Sequence, residues 1–185
     1  MFNEEKRQAI HILLFLFAFL LKYLSRWQAA GLLFVLFFVA FFLVPRLQAK
    51  SHLYRHFEKR YSQGGIFYFL VLFILVLIFP LYIVAVSWAI LALGDGMATL
   101  IGKNFRAKEL PWNKNKTYAG SLAFVIFGTL GALILLKWMV PGIGGGFSIA
   151  LKTTIVAAIV ESLSLRINDN ITVAVTSAVV LYLLI

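Results

Sequence analysis

The chain contains no cysteine. Disulfide bridges, thiolate metal sites and a cysteine nucleophile are therefore excluded. Acidic residues are scarce too: seven Asp and Glu stand against seventeen Lys and Arg, with three histidines and four prolines. A carboxylate at membrane depth is expensive, so each one in or beside an apolar run needs a reason. Charged residues of either sign make up only 13% of the 185 positions.

What fills the chain instead is apolar, at 62% of residues. Several runs reach spanning length, which identifies an integral membrane protein. The chain is too short for a membrane bundle plus a separate soluble domain, so one domain over 1–185 is expected. A net charge of +10 would suggest nucleic acid in a soluble protein. Here the cations lie in loops between apolar runs. Topology and anionic lipid or nucleotide explain them, and no nucleic-acid partner is expected.

Lys6 and Arg7 precede an apolar stretch, as in a signal peptide. No small-residue cleavage site follows, and Lys22 and Arg26 come next, so a first membrane helix is expected over Ile10–Tyr23. Ala29–Val44 reads as a second span, stopped near Pro45. Arg46–Ser62 is a basic loop carrying Arg46, Lys50, Arg55, Lys59 and Arg60 against Glu58, and predicts an amphipathic surface helix. Ile66–Leu93 is long for one span and short for two; a reversal at Pro80 makes it two. Gly120–Leu136, Ile149–Leu165 and Ile171–Ile185 follow, with Pro141-Gly142-Ile143-Gly144-Gly145-Gly146 as a flexible connector. The expected fold is an all-α polytopic bundle of about seven short transmembrane helices with its N-terminus inside.

The charges support the reversal. With seven spans, Lys6, Arg7, the five cations of 46–62, Lys103, Arg106, Lys108, Lys114, Lys116 and Arg166 share the inner side, thirteen of the seventeen Lys and Arg. Lys22, Arg26, Lys137 and Lys152 fall outside, a clear positive-inside bias. A single span over 66–93 would put the two basic loops on opposite sides. The same topology gathers His11, Asp95, Lys116, Glu161 and Asp169 near the inner face.

Gly94-Asp95-Gly96 ends a long apolar run, and five cations follow by Lys116. Asp95 reads either as a cap that starts the next helix or as a ligand of Mg²⁺, a hard cation that takes carboxylate and phosphate oxygen. The glycines would let a ligand approach the backbone. The stretch is no standard phosphate loop: Gly96 to Gly102-Lys103 has the wrong spacing, and Asn104 stands where Ser or Thr is needed. Thr99 breaks a dinucleotide fingerprint. The cations beyond Asp95 serve topology, a polyphosphate, or both. Lys116 stands apart because Thr117, Gly120 and Ser121 follow it, and such a group at a helix start suits phosphate. Glu161 is either a buried carboxylate paired with Arg166, with Asn168-Asp169-Asn170 an Asx cap that starts the last helix, or, with Asn168, Asp169 and Asn170, part of a second set of hard oxygen ligands facing Asp95. His11 alone is either a satisfied interface histidine or a catalyst.

These residues resemble a known signature. Gly94-Asp95-Gly96-x-Ala98-x-x-x-Gly102-x-x-Phe105, Leu110-Pro111-Trp112-Asn113 and Lys116-Thr117-x-x-Gly120-Ser121 are similar to that of the phytol kinase and dolichol kinase family. Lys6-Arg7-Gln8-Ala9-Ile10-His11 resembles its early basic-basic-x-x-His element, and Glu161 and Asp169-Asn170 its late Glu and Asp-Asn. Arg106 stands where a Gly is common. Ala119 stands where many relatives have Glu, as in phytol-kinase-like members, which pulls substrate preference away from dolichol.

The resemblance implies nucleotide-dependent phosphorylation of a membrane-dissolved alcohol, typically with CTP as donor, and leaves open phytol, geranylgeraniol, a polyprenol or diacylglycerol. The charge topology puts the expected site on the cytoplasmic face, and the carboxylates are read as holding Mg²⁺. Asp95, Lys116 and Asp169 would be catalytic, with Asp95 and Asp169 as metal ligands. Gly94, Gly96, Gly102, Lys103, Lys116, Thr117, Gly120 and Ser121 would hold nucleotide. His11, Glu161, Asn168 and Asn170 would support them. Two other readings are a phosphatidate cytidylyltransferase, whose late Pro-Gly-His-Gly-Gly and Asp-Arg-x-Asp elements are absent here, and a non-catalytic transporter or scaffold.

Overall fold

The computed structural model describes residues 4–46, 62–105 and 107–185. Helix α1 (Glu4–Leu13) and the short α2 (Phe15–Ala18) run into a 3₁₀ turn over Phe19–Lys22. Helix α3 spans Arg26–Arg46, with wider and tighter turns near its end. Then come α4 (Gln63–Ile78), α5 (Leu81–Asn104), a hairpin of β1 (Glu109–Leu110) and β2 (Asn113–Thr117), α6 (Tyr118–Met139), α7 (Gly146–Ser162) and α8 (Asp169–Leu184). The amphipathic helix expected over 46–62 lies almost wholly outside the described residues.

Local signals start these helices. Ser25 and Gln28 form a reciprocal capping box on α3. Ser62, Thr117 and Asn168 accept backbone N–H groups at the starts of α4, α6 and α8. Each satisfies one of the donors a helix leaves unpaired at its first turn. Between α6 and α7 the chain turns through Gly142 and Gly145, both at positive φ (87° and 66°), a backbone region that costs a side chain dearly and glycine nothing.

The chain reverses at Pro80. Phe79 and Pro80 are both extended, with ψ of 158° and 146°. Tyr68 and Trp88, twenty residues apart on the two sides of the turn, meet through a 2.7 Å bond from the indole Nε1 to the phenol oxygen. Two features differ from the sequence expectation. Gly94-Asp95-Gly96 does not end a helix: α5 runs through it, widening to a π turn over Ile90–Asp95. Asp95 is helical (φ −67°, ψ −40°) and makes no capping bond, so the cap reading is overturned. The fold is also not purely α, because β1 and β2 pair antiparallel around Pro111-Trp112.

Glycine in a helix interior costs about 1 kcal/mol against alanine, and close packing offsets that here. A Cβ on Gly94 would lie 3.1 Å from the Phe124 ring, one on Gly128 2.7 Å from Thr154, and one on Gly131 2.6 Å from Leu93. Gly102 and Gly120 cross at the end nearest the hairpin, where a Cβ on Gly120 would sit 3.0 Å from the Ala98 carbonyl. So α5 and α6 lie antiparallel along a seam of small residues, the close-approach packing that suits helices without water between them.

Helix α5 is the centre of the bundle, with 72% of its apolar window buried, whereas α3 is peripheral at 17%. The outside is apolar too: Leu122, Ile126, Leu130, Ile134 and Trp138 form an exposed stripe at four-residue spacing along α6. The interior meanwhile holds Ser87, Thr153, Thr154, Glu161 and Ser177. A soluble fold would invert this arrangement. Among the described residues, α3, α5 and α6 are long and apolar enough to cross a membrane, and α4 and α8 are shorter apolar helices. The chain is a membrane-associated helical bundle.

The seam yields a stability prediction. Gly128→Leu, whose Cβ would meet Thr154 of α7 first and Gly94 of α5 next, should push α6 away from both helices and lower the melting temperature in detergent, consistent with the about 1–3 kcal/mol typical of overpacking. Gly31→Ala, where an added Cβ meets nothing within 4 Å, should leave it unchanged or raise it. Differential scanning fluorimetry on the two variants reads the difference.

Candidate active site

One end of the bundle opens into a cavity of about 680 Å³ lined by α1, α3, α4, α5, β2, α6, α7 and the segment leading into α8. Asp95 reaches it from the wide turn of α5. The His11 ring, brought by α1, bonds through Nε2 to the Leu91 carbonyl at 3.1 Å. A carbonyl only accepts, so that nitrogen carries the proton. Asp95 Oδ2 lies 3.7 Å from the same nitrogen, too far for a hydrogen bond. Tyr68 meets the His11 ring edge-on at 4.7 Å. The wide turn thus presents one carboxylate to the cavity and one carbonyl to the histidine.

Glu161, only 3% exposed near the end of α7, and Asp169, 43% exposed at the start of α8, face Asp95. One oxygen from each of the three carboxylates lies within 4.8 Å of the other two. Lys116 answers this concentration of negative charge. Its ammonium bonds Glu161 Oε1 and donates to Asp169 Oδ2 at 2.8 Å. Burial alone would lower the lysine pKa, but the charges of Glu161, Asp95 and Asp169 outweigh it and hold the group above its ordinary value. The ammonium is therefore charged throughout the neutral range. Glu161 pairs with Lys116, not with Arg166, which is exposed; that sequence alternative is overturned.

The hairpin aims Lys116. The Asn113 side chain donates to the Ser162 carbonyl at 3.1 Å, and the Trp112 indole donates to the Ser162 hydroxyl at 3.3 Å. Ser162 adjoins Glu161, so one anchor fixes both ends of the Lys116–Glu161 pair. Three helix N-termini also meet here: Ser62, Thr117 and Asn168, the caps of α4, α6 and α8, all line the cavity. A bond of 2.8 Å from the Asn170 amide to the Gly64 carbonyl ties the starts of α8 and α4 together. First-turn N–H groups and the aligned helix dipoles make such ends receptive to anions.

The cavity gathers His11, Asp95, Gly102, Lys103, Lys116, Thr117, Gly120, Ser121, Glu161, Asn168, Asp169 and Asn170. It does not include Gly94 or Gly96. Gly94 faces Phe124, and a Cβ on Gly96 would lie 2.6 Å from Ile12; both serve helix packing. Arg7, Tyr68, Thr99 and Asn115 also line the wall, and sequence reasoning assigned no site role to any of them. Arg7 had a signal in the early basic element. A tyrosine inside an apolar run has none until Trp88 and His11 are seen against it.

Comparison with known proteins finds similar chains among curated enzymes. A chloroplastic farnesol kinase of Arabidopsis thaliana is 38% identical over 101 residues, covering 51% of this chain and 33% of that protein. A probable phytol kinase 3 of Glycine max is 38% identical over 98 residues, covering 49% and 30%. A probable phytol kinase of Triticum aestivum is 32% identical over 136 residues, covering 66% and 44%. In each case the match spans less than half of the relative's own length. No family model and no solved structure matches the chain.

The hairpin anchor can be tested without an activity assay. Asn113→Ala leaves the Ser162 carbonyl without its side-chain donor, and an unmade buried hydrogen bond costs about 1–3 kcal/mol. Faster amide hydrogen exchange is expected across 113–117, with exchange in α6 beyond its first turn unchanged.

Proposed function

We propose that this chain is a kinase of the phytol kinase kind, a reading its similarity to farnesol and phytol kinases supports, and that it moves the terminal phosphoryl group of a nucleoside triphosphate onto the hydroxyl of a membrane-dissolved prenol. The observation that carries this reading is the cluster of Asp95, Glu161, Asp169 and Lys116 beneath three helix N-termini, in a cavity whose other wall is apolar. Phytol, geranylgeraniol and farnesol-like alcohols suit that wall, formed by Ile10, Leu14, Ala40, Val44 and Phe69. The tail would enter sideways from the lipid with its hydroxyl at the polar rim. CTP is the donor implied by the resemblance.

The donor set fits a divalent cation. Three carboxylates with oxygens within 4.8 Å match the all-oxygen preference of Mg²⁺. Asp95 and Asp169, with Glu161, would hold it, and when bound it supplies charge neutralisation at the phosphates. The rest falls to the chain's own groups. Lys103, Lys116 and the first-turn N–H groups of α6 and α8 hold phosphate oxygens. Phosphoryl transfer needs positioning and charge stabilisation more than covalent help. The prenol oxygen bonds to the terminal phosphorus as the bond to the bridging oxygen breaks, and the nucleoside diphosphate leaves. Asp169, the most exposed of the three carboxylates, orients the hydroxyl and receives its proton. His11 holds the wide turn through Leu91 and so keeps Asp95 in place.

We also read the bundle as seven short spans with the cavity end on the cytoplasmic side. The positive-inside count supports this, with thirteen of seventeen cations on that side. Nucleotide is available there.

Asp95→Asn tests the reading. It keeps the side chain's size and removes its charge. Transfer should fall by two orders of magnitude or more, about 3 kcal/mol, the scale of charge stabilisation in phosphoryl transfer. The melting temperature should stay within a few degrees, because Asp95 makes no capping bond. Wild-type transfer by Asp95→Asn would refute the role given to this carboxylate.

A further inference from the structure

We infer that Lys116 is a resident cation of the carboxylate cluster in the nucleotide-free protein, and that it competes with the divalent cation until phosphate draws it away. The inference rests on the kinase reading of the site. Lys116 Nζ already contacts Glu161 Oε1 and Asp169 Oδ2, which belong to two of the three carboxylates available to a metal. A magnesium ion bonds such oxygens at about 2.0–2.1 Å. A metal there would lie beside the ammonium, and two cations in a poorly solvated pocket repel strongly.

The ammonium has somewhere to go. Thr117, Gly120 and Ser121 at the start of α6 line the same cavity, as does Lys103. A phosphate held there would lie within reach of a flexible four-carbon stem. The hairpin backbone stays fixed through Asn113, Trp112 and Ser162, so only the side chain needs to move. Metal binding and nucleotide binding are then linked. Metal alone meets an occupied cluster, while nucleotide draws Lys116 away and clears it. By reciprocity, metal must strengthen nucleotide binding to the same degree.

Mn²⁺, a paramagnetic stand-in for Mg²⁺, tests this by electron paramagnetic resonance titration of the purified full chain, with and without a CTP analogue carrying a β–γ methylene bridge. Without nucleotide, Lys116→Met should bind Mn²⁺ at least tenfold tighter than wild type, and Lys116→Arg should match wild type. The analogue should tighten Mn²⁺ binding to wild type more than to Lys116→Met. Equal or weaker nucleotide-free binding by Lys116→Met overturns the competition. So does a wild-type Mn²⁺ affinity that the analogue leaves unchanged, a measurement that needs no variant. In either case the kinase reading survives if wild type still transfers phosphate. A protein that binds no Mn²⁺ under either condition refutes both.

Discussion

Three carboxylates held within 4.8 Å of one another are the constraint on which the rest of the structure depends. In a chain that is 62% hydrophobic, unpaired buried charge would be prohibitive. The fold meets the cost from two directions. A hairpin carries Lys116 into contact with Glu161 and Asp169, and the N-termini of α4, α6 and α8 point their positive ends at the same cavity. Features that relieve the carboxylates are also those that attract phosphate. Stability and proposed chemistry therefore draw on the same groups.

Close helix packing sets the geometry. Helix α5 passes α6 along Gly94, Gly102, Gly120, Gly128 and Gly131. This lets α5 continue past Asp95 in a widened turn instead of stopping there. Had the helix ended at Leu93, Asp95 would sit in a loop with freedom to move. Inside a buried helix, with His11 bonded to Leu91, it is held by the helix backbone on both sides.

Much of this was legible in the sequence. Charge distribution located the reversal at Pro80, and the Tyr68–Trp88 pair spans the turn. Thr117 and Asn168 read as helix-start residues and cap α6 and α8. The glycines were harder. A Gly-Asp-Gly stretch looks the same whether its glycines admit a ligand or a neighbouring helix, and only the positions of Phe124 and Ile12 decide. The hairpin was missed because Asn113–Thr117 has no alternation of apolar and polar residues. Its strand is held by side-chain bonds to Ser162, fifty positions from Trp112 in sequence, and no local pattern encodes such a contact. Tyr68 was invisible for the same reason.

The central claim is that this cluster transfers a terminal phosphoryl group to a lipid alcohol. The most direct measurement uses purified protein in vesicles containing geranylgeraniol, supplied in parallel with CTP labelled at the α- or the γ-phosphate, followed by partition into organic solvent. The claim predicts γ-label in the lipid phase as a prenyl monophosphate and none from the α-position. Label entering the lipid from the α-phosphate, or from neither, would contradict it.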